Sequence, residues 1–199
     1  MGLITLKDNF TDNTNNWWTG KDENGRGEIV DRSYIIEHTK ESGDYSVWKN
    51  LPIVESKAFS FEAGFTFLKG YTRNGFGLLW GQKSINGNEG GYSGFHYFVI
   101  SASGKFVIRS FNRATKKAEP IKDWTDSAII KQGENATNAL KIMRFDEQID
   151  KQLYFLINDQ LVFQINYLPM FGYESGFIVF QNMKIAINYY EARYYLNQP

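Results

Sequence analysis

Five side chains, in the longest glycine-rich connection (Lys83–Gly94) and on the strands predicted around it, combine aromatic rings with planar polar groups. They are Trp80, Gln82, Tyr92, His96 and Arg109. A pyranose ring offers C–H groups that stack on an aromatic face, and its hydroxyls need hydrogen-bonding groups held in fixed positions. We therefore take these five residues as the candidate ligand-binding set, and an oligo- or polysaccharide as the ligand that such a set would bind.

Each of the five also has a purely structural interpretation, which the sequence leaves open. Trp80 would equally well fill the core of a sheet, and Tyr92 would anchor the loop in which it lies. His96 alternates with aromatic neighbours, as an ordinary hydrogen-bonded histidine of a strand does. Gln82 and Arg109 would be common surface residues. Burial and facing direction decide between the two interpretations, and both depend on the fold.

The residues that catalysis would need form no favourable pattern. Hydrolysis of a glycosidic bond needs two carboxylates placed across it, whereas the acidic clusters fall in polar turns, at Asp22/Glu23, Glu41/Asp44, Asp123/Asp126 and Asp146/Glu147/Asp150. Cysteine is absent and the histidines are His38 and His96, with no Gly-x-Ser-x-Gly segment nearby. A nucleophilic triad and a zinc site are therefore not indicated. The sequence favours a protein that is not an enzyme.

Calcium is the one ion for which candidate ligands exist. Hard oxygen donors cluster in two polar segments, at Asp8, Asn9, Asp12 and Asn13 and at Asp22 and Asn24. Neither segment has the spacing of a calcium-binding loop with a distal glutamate. Turns rich in Asp and Asn form without any ion, so we expect no cofactor.

Charge and hydropathy exclude several classes of partner. Lys and Arg together number 22, as do Asp and Glu, and the formal net charge is zero. Without a basic run or stripe, no nucleic-acid partner is expected. No apolar stretch is long enough to cross a bilayer and the first residues do not resemble a signal peptide, so we expect a soluble chain without membrane insertion. The absence of cysteine leaves its compartment undetermined.

The elements that would position these side chains are β-strands. Alternation of apolar and polar residues is clearest in Phe59–Phe67 and recurs along most of the 199 residues, as in strands with one buried face. We predict a single domain over 1–199, with about a dozen antiparallel strands in two packed sheets. Tight hairpins are predicted at Ala102-Ser103-Gly104 and at Asn158-Asp159. Residues 123–130 are the only candidate helix.

Three segments carry a resemblance to a known superfamily: Gly77-Leu78-Leu79-Trp80-Gly81, Tyr97–Ser101 leading to Gly104, and the hairpin Phe155–Asp159. From about residue 10 to about residue 190 the chain resembles the concanavalin A-like lectin/glucanase superfamily, in particular bacterial jelly-roll domains with a Gly-Leu-x-Trp-Gly strand. The resemblance implies an all-β, two-sheet antiparallel jelly-roll sandwich. It also implies a concave face of the kind on which some members bind or cut polysaccharides. The Glu-x-Asp-x-x-Glu strand of its laminarinase-like branch is absent here.

Three functional hypotheses follow. The first is a non-catalytic, lectin-like domain that binds carbohydrate on the concave face. The second is a protein-interaction or structural module of a larger assembly, in which the same fold contacts another protein. The third is a glycoside hydrolase whose carboxylates are dispersed along the chain. Fold alone does not choose among them.

Overall fold

The computed structural model describes residues 2–84 and 93–196, and within them it contains strands and turns but no helix. No described segment is therefore a membrane-spanning helix. The strands are β1 (Gly2–Asp8), β2 (Gly20–Lys21), β3 (Gly25–Val30), β4 (Ser33–His38), β5 (Asp44–Asn50), β6 (Phe59–Gly70), β7 (Gly75–Gln82), β8 (Gly94–Ser101), β9 (Lys105–Asn112), β10 (Lys117–Asp126), β11 (Thr137–Arg144), β12 (Gln152–Ile157), β13 (Gln160–Asn166), β14 (Glu174–Phe180) and β15 (Met183–Leu196).

These strands form two antiparallel sheets, as the alternation predicted. The larger has the order β13-β12-β11-β6-β15-β4-β3-β2, and β1 pairs with the second half of β15. The smaller has the order β10-β9-β8-β7-β14-β5. Along one edge of β15, residues 183–187 pair with β4 and residues 190–196 pair with β1. The long β15 thus joins the first strand of the chain to the middle of the larger sheet.

Phenylalanine fills the space between the sheets. In β6 the alternating Phe59, Phe61, Phe65 and Phe67 are buried and belong to the main core. They meet side chains such as Phe177 from the smaller sheet, whose ring centroid is 6.0 Å from that of Phe65. Burying one such ring contributes about 1.5–3 kcal/mol. The phenylalanine alternation in the sequence therefore marks the inner face of β6.

Both hairpins that the sequence predicted are confirmed. β8 and β9 are joined at 102–104, where Gly104 has a φ of 89°. β12 and β13 are joined by Asn158 and Asp159, with φ angles of 49° and 64°. Two consecutive positive φ angles are the requirement of a type I′ turn, which Asn and Asp tolerate better than most residues.

The prediction of a helix at 123–130 is wrong. Residues up to Asp126 belong to β10, an edge strand that pairs with β9 through Thr125 and Phe106 despite two register shifts. Turns follow, and the amide of Ile130 donates to the carbonyl of Ser127. Pairing with β9 satisfies the backbone hydrogen bonds of this segment, so a strand forms despite the short helical pattern. The strand places Trp124 at the rim of the smaller sheet.

Candidate ligand-binding face

The smaller sheet is apolar on both sides. Its inward residues join the main core, and a second apolar cluster lies on the opposite side, which we call the outer face; it consists of Leu79, Phe95, Tyr97, Val99, Val107 and Ile178, with Trp48, Phe111 and Phe180 packed against it. The cross-strand register explains this grouping, because directly paired residues share a face. Leu79 pairs with Tyr97, and Tyr97 pairs with Arg109.

A cleft of about 200 Å³ opens on this outer face. The side chains and backbone that line it are Arg73, Asn74, Gly75, Tyr97, Val99, Val107, Arg109, Trp124, Phe180 and Gln181. The volume equals that of several water molecules, which suits one sugar ring better than a large cofactor. The floor is apolar and the rim carries amide and guanidinium groups, the mixture expected for a small polar ligand with an apolar face.

Tyr97 lines the cleft and packs against its neighbours. Its ring centroid is 5.3 Å from that of Phe180, and its side chain shares the outer face with that of Arg109, its partner across the strand pair. Burial raises the pKa of the Tyr97 hydroxyl, although the neighbouring Arg109 acts in the opposite direction. Tyr97 is therefore a neutral phenol at physiological pH, available as a hydrogen-bonding group.

Trp124 forms one wall of the cleft. It lies on the edge strand β10 and is 39% exposed. A second groove on the same face is lined by Trp124 together with Arg73, Ser103 and Lys105. An aromatic ring with an accessible face beside polar side chains is the element that sugar stacking requires.

Asp44 is an unusual carboxylate at the edge of the outer face. It pairs with Phe180 across β5 and β14, and its carboxylate makes no hydrogen bond or ion pair with any other described residue. Burial raises the pKa of Asp44 from 3.8 to about 6, and its charge also raises the pKa of Tyr97. The ionised form is therefore destabilised in the folded protein.

We expect Asp44→Asn to stabilise the protein at pH 7.5 by about 1–3 kcal/mol, because it removes a poorly solvated charge. The folded pKa of Asp44 lies above its unfolded value, so this group costs stability at neutral pH. That cost disappears as the pH falls through about 6 to about 4. Urea denaturation of parent and variant across this range measures the difference. A gain that is equally large at pH 4 and pH 7.5 would contradict the assigned cause.

Two of the five candidate residues face the core. Trp80 is fully buried, with its ring centroid 5.1 Å from that of His96 and 5.6 Å from that of Phe155. Nε2 of His96 lies 3.0 Å from the carbonyl oxygen of Pro169, and burial lowers the pKa of this histidine. The two residues are neighbours, and they lie on the core side of the smaller sheet rather than on the outer face.

Of the other three candidates, the structure describes Gln82 and Arg109. Gln82 is fully buried and donates through Nε2 to Glu174 Oε2 at 2.9 Å, an oxygen that also accepts from the hydroxyl of Ser84 at 2.7 Å. Tyr92 lies outside the described residues. Among the four candidates that the structure describes, only Arg109 lines the cleft. The sequence reasoning did not identify the cleft residues Arg73, Asn74, Tyr97, Trp124, Phe180 and Gln181. The register of β8 and β9 is the signal that would have linked Tyr97 to Arg109.

The polar amino-terminal segment is organised by its own hydrogen bonds. Asp8 accepts from Nε1 of Trp17 and from the amide of Phe10, both at 2.7 Å. Asp22 accepts from the amides of Asn24 and Gly25. Within the described ranges, no three His, Cys, Asp or Glu side chains are grouped to hold a metal ion. The carboxylate oxygen atoms of Asp8 and Asp22 thus serve as hydrogen-bond acceptors within the fold.

Comparison with known proteins supports the fold. No protein-family model and no curated protein matches the sequence. A Bacillus subtilis protein of unknown function with a galectin-like fold is similar in structure, with 12% identity, coverage of 97% of this chain and 96% of that one, and a TM-score of 0.63.

Two further structures are similar over nearly their whole lengths. Bacillus licheniformis β-glucanase has 8% identity, coverage of 98% of both chains and a TM-score of 0.63. The carbohydrate recognition domain of Emp46p, in its metal-free form, has 14% identity, coverage of 92% of this chain and 91% of that one, and a TM-score of 0.57. This likeness confirms the two-sheet jelly roll that the strand motifs predicted.

Proposed function

Because the chain has the concanavalin A-like jelly-roll fold, we propose that it is a non-catalytic carbohydrate-binding domain whose binding site is the cleft on the outer face. One observation carries the proposal: Tyr97, Phe180 and Trp124 share this cleft with the polar side chains of Asn74, Arg109 and Gln181. Aromatic rings stack on the C–H groups of a sugar, and amide and guanidinium groups hydrogen-bond its hydroxyls.

The fold is compatible with this role. One of the similar structures is named a carbohydrate recognition domain and another a β-glucanase. Fold similarity at this level of identity does not transfer an activity. The proposal therefore depends on the cleft: it keeps Arg109 and puts residues that line the cleft in place of Trp80, Gln82 and His96.

Hydrolysis is a weaker hypothesis. None of the described residues that line the cleft is an aspartate or a glutamate, and paired carboxylates are what most glycoside hydrolases need. Asp123 lies nearby, with Oδ1 3.7 Å from Nη2 of Arg109, but it is 77% exposed. A bound oligosaccharide should therefore remain intact.

A protein-interaction module is the second candidate, and a specific observation favours it. The connection between β11 and β12 exposes two large apolar side chains, Phe145 at 42% and Ile149 at 80%. Exposed apolar residues that lie close together on a connection are a feature of contact surfaces. Under this alternative the outer-face cleft would bind no sugar.

The test is a glycan array with the purified protein, followed by titration calorimetry with the glycans that bind. We expect Trp124→Ala to weaken binding by about 1–3 kcal/mol, because it removes one stacking and burial contact. Trp18→Ala is the matched control, since Trp18 is 40% exposed but packs beside Tyr45, away from the cleft. Both variants should keep the melting temperature of the parent within a few degrees.

The possible outcomes separate the three hypotheses. Loss of affinity in the Trp124 variant but not in the Trp18 variant supports the cleft. Equal loss in both variants, or in neither, would place the site elsewhere. A negative array across all polysaccharide classes would favour the interaction module, and shortened sugars in the product analysis would show an enzyme.

A further inference from the structure

The charged side chains among the described residues that line the cleft are all positive. Two arginines, Arg73 and Arg109, are among its described lining residues, and no carboxylate is. The adjoining groove shares Arg73 with the cleft and adds Lys105. Three cations thus surround the walls formed by Trp124 and Tyr97, in a chain whose formal net charge is zero. Such a local excess of cations favours a negatively charged ligand.

Arg73 is available to a ligand. It lies in the exposed turn between β6 and β7, and its side chain forms no ion pair with any other residue in the ranges 2–84 and 93–196. The turn itself is fixed, because the amide of Asn74 donates to the carbonyl of Tyr71 and the Asn74 side chain donates to the carbonyl of Gln181. This hydrogen-bonded turn therefore presents an unpaired guanidinium to the cleft.

Arg109 also keeps unused donors. Its side chain is 31% exposed, and its nearest carboxylate is 3.7 Å away on Asp123, which is beyond hydrogen-bonding distance. Its Nε is buried and makes no hydrogen bond with another described residue. A guanidinium has five N–H donors arranged to bind a carboxylate in a bidentate manner. The protein itself does not saturate them.

The carboxylates around the cleft compete only weakly for these cations. Asp123 and Asp126 are 77% and 82% exposed, and Asp126 pairs with Lys105 at 3.1 Å. Ion pairs of such exposed groups contribute little stability in water, so a ligand carboxylate can replace them. Asp44, the remaining acidic neighbour of Tyr97, does not line the cleft.

From this arrangement we propose that the ligand is an acidic saccharide, and that Arg73 and Arg109 bind the carboxylate of a uronic acid unit while Trp124 and Tyr97 contact its ring. This inference rests on the proposed function, since it specifies the ligand class of the same cleft. A neutral sugar would leave the guanidinium groups without a charged partner. A carboxylate forms charge-assisted hydrogen bonds with these guanidinium groups, and such bonds are about twice as strong as neutral ones.

The test compares each acidic saccharide with a neutral form of the same backbone. The probes are oligogalacturonate, oligomannuronate, oligoguluronate and hyaluronan oligosaccharides, each beside its carboxyl-reduced counterpart, with neutral glucan oligosaccharides as a further set. We expect at least one acidic probe to bind about tenfold or more tightly than its reduced form. The difference should shrink as salt rises from about 0.05 M to about 0.5 M, because salt screens exposed charges.

Substitutions assign the effect to the two arginines. Arg73→Gln and Arg109→Gln should each lower the ratio of acidic to neutral affinity about threefold or more, since each removes one charged contact. Arg32→Gln is the matched control, because Arg32 is exposed in the turn between β3 and β4 of the other sheet. That control variant should keep the ratio of the parent.

The outcomes distinguish this inference from the proposed function. If neutral oligosaccharides bind at the cleft and the acidic forms bind no better, the acidic specificity is wrong and carbohydrate binding stands. If acidic probes bind but neither cleft variant changes the ratio, the charge is recognised elsewhere and the inference is overturned. If no saccharide of either kind binds, both proposals fail together.

Discussion

Replacing Trp80 with alanine is expected to lower the free energy of unfolding by about 3–5 kcal/mol, because the indole is fully buried between the sheets and its removal leaves a cavity. The ring lies against His96 and Phe155, which cannot close the space without moving their strands. Urea denaturation monitored by circular dichroism gives the change from the shift in midpoint at constant slope. An effect of this size is typical of a core residue.

Trp80→Phe is the matched control. The Trp80 Nε1 is buried and makes no hydrogen bond with another described residue, so phenylalanine removes an unsatisfied donor while keeping most of the packing. We expect a loss of about 1 kcal/mol or less. If Trp80→Ala leaves the unfolding midpoint unchanged but abolishes glycan binding, Trp80 belongs to the site and the assignment of the cleft is wrong.

Replacing Gly77 with valine is expected to lower the free energy of unfolding by about 3 kcal/mol, through overpacking. A β-carbon at this position would lie 2.4 Å from the carbonyl oxygen of Phe98 and 2.7 Å from Cδ1 of Leu140. Neither neighbour can move freely, because Phe98 belongs to the paired strand β8 and Leu140 is a fully buried residue of the opposite sheet. Glycine is required here because two strands approach each other closely.

Ser60→Thr is the control for Gly77→Val. Ser60 is a partly exposed residue of β6, paired with Met143 and Arg193, and threonine suits a strand. The change should alter stability by about 0.5 kcal/mol or less. Equal midpoints for Gly77→Val and Ser60→Thr in chemical denaturation would show that the close approach at Gly77 is absent in solution.

Much of the fold could be predicted because a strand with one buried face alternates apolar and polar residues along the sequence. The phenylalanines of β6 and the turn at Asn158 and Asp159 gave the inner face and a hairpin directly. The error at residues 123–130 has a physical cause. Few side chains of an edge strand are buried, so its sequence need not alternate apolar and polar residues. Backbone pairing with β9 therefore determines the structure of this segment even though its pattern is typical of a helix.

The binding residues were harder to predict because alternation separates two faces without saying which one is inside. In β7 one face carries Phe76, Leu78 and Trp80, and both faces are buried. Trp80 therefore looked equally suited to the core and to a ligand. The grouping of Tyr97 with Arg109 depends on the strand register, and the addition of Phe180 depends on a strand that lies far along the chain. Only the assembled sheet brings them together.

The pairing of β15 determines when this protein can fold. β1 pairs only with β15 in the described sheets, and the central part of the larger sheet is completed when β15 enters between β6 and β4. During synthesis, more than a hundred residues are added after the phenylalanine-rich β6 before β15, its second neighbour in the sheet, is made. Such long-range pairing slows folding and exposes strand edges in the meantime. The nascent chain is thus vulnerable to aggregation until β15 is made.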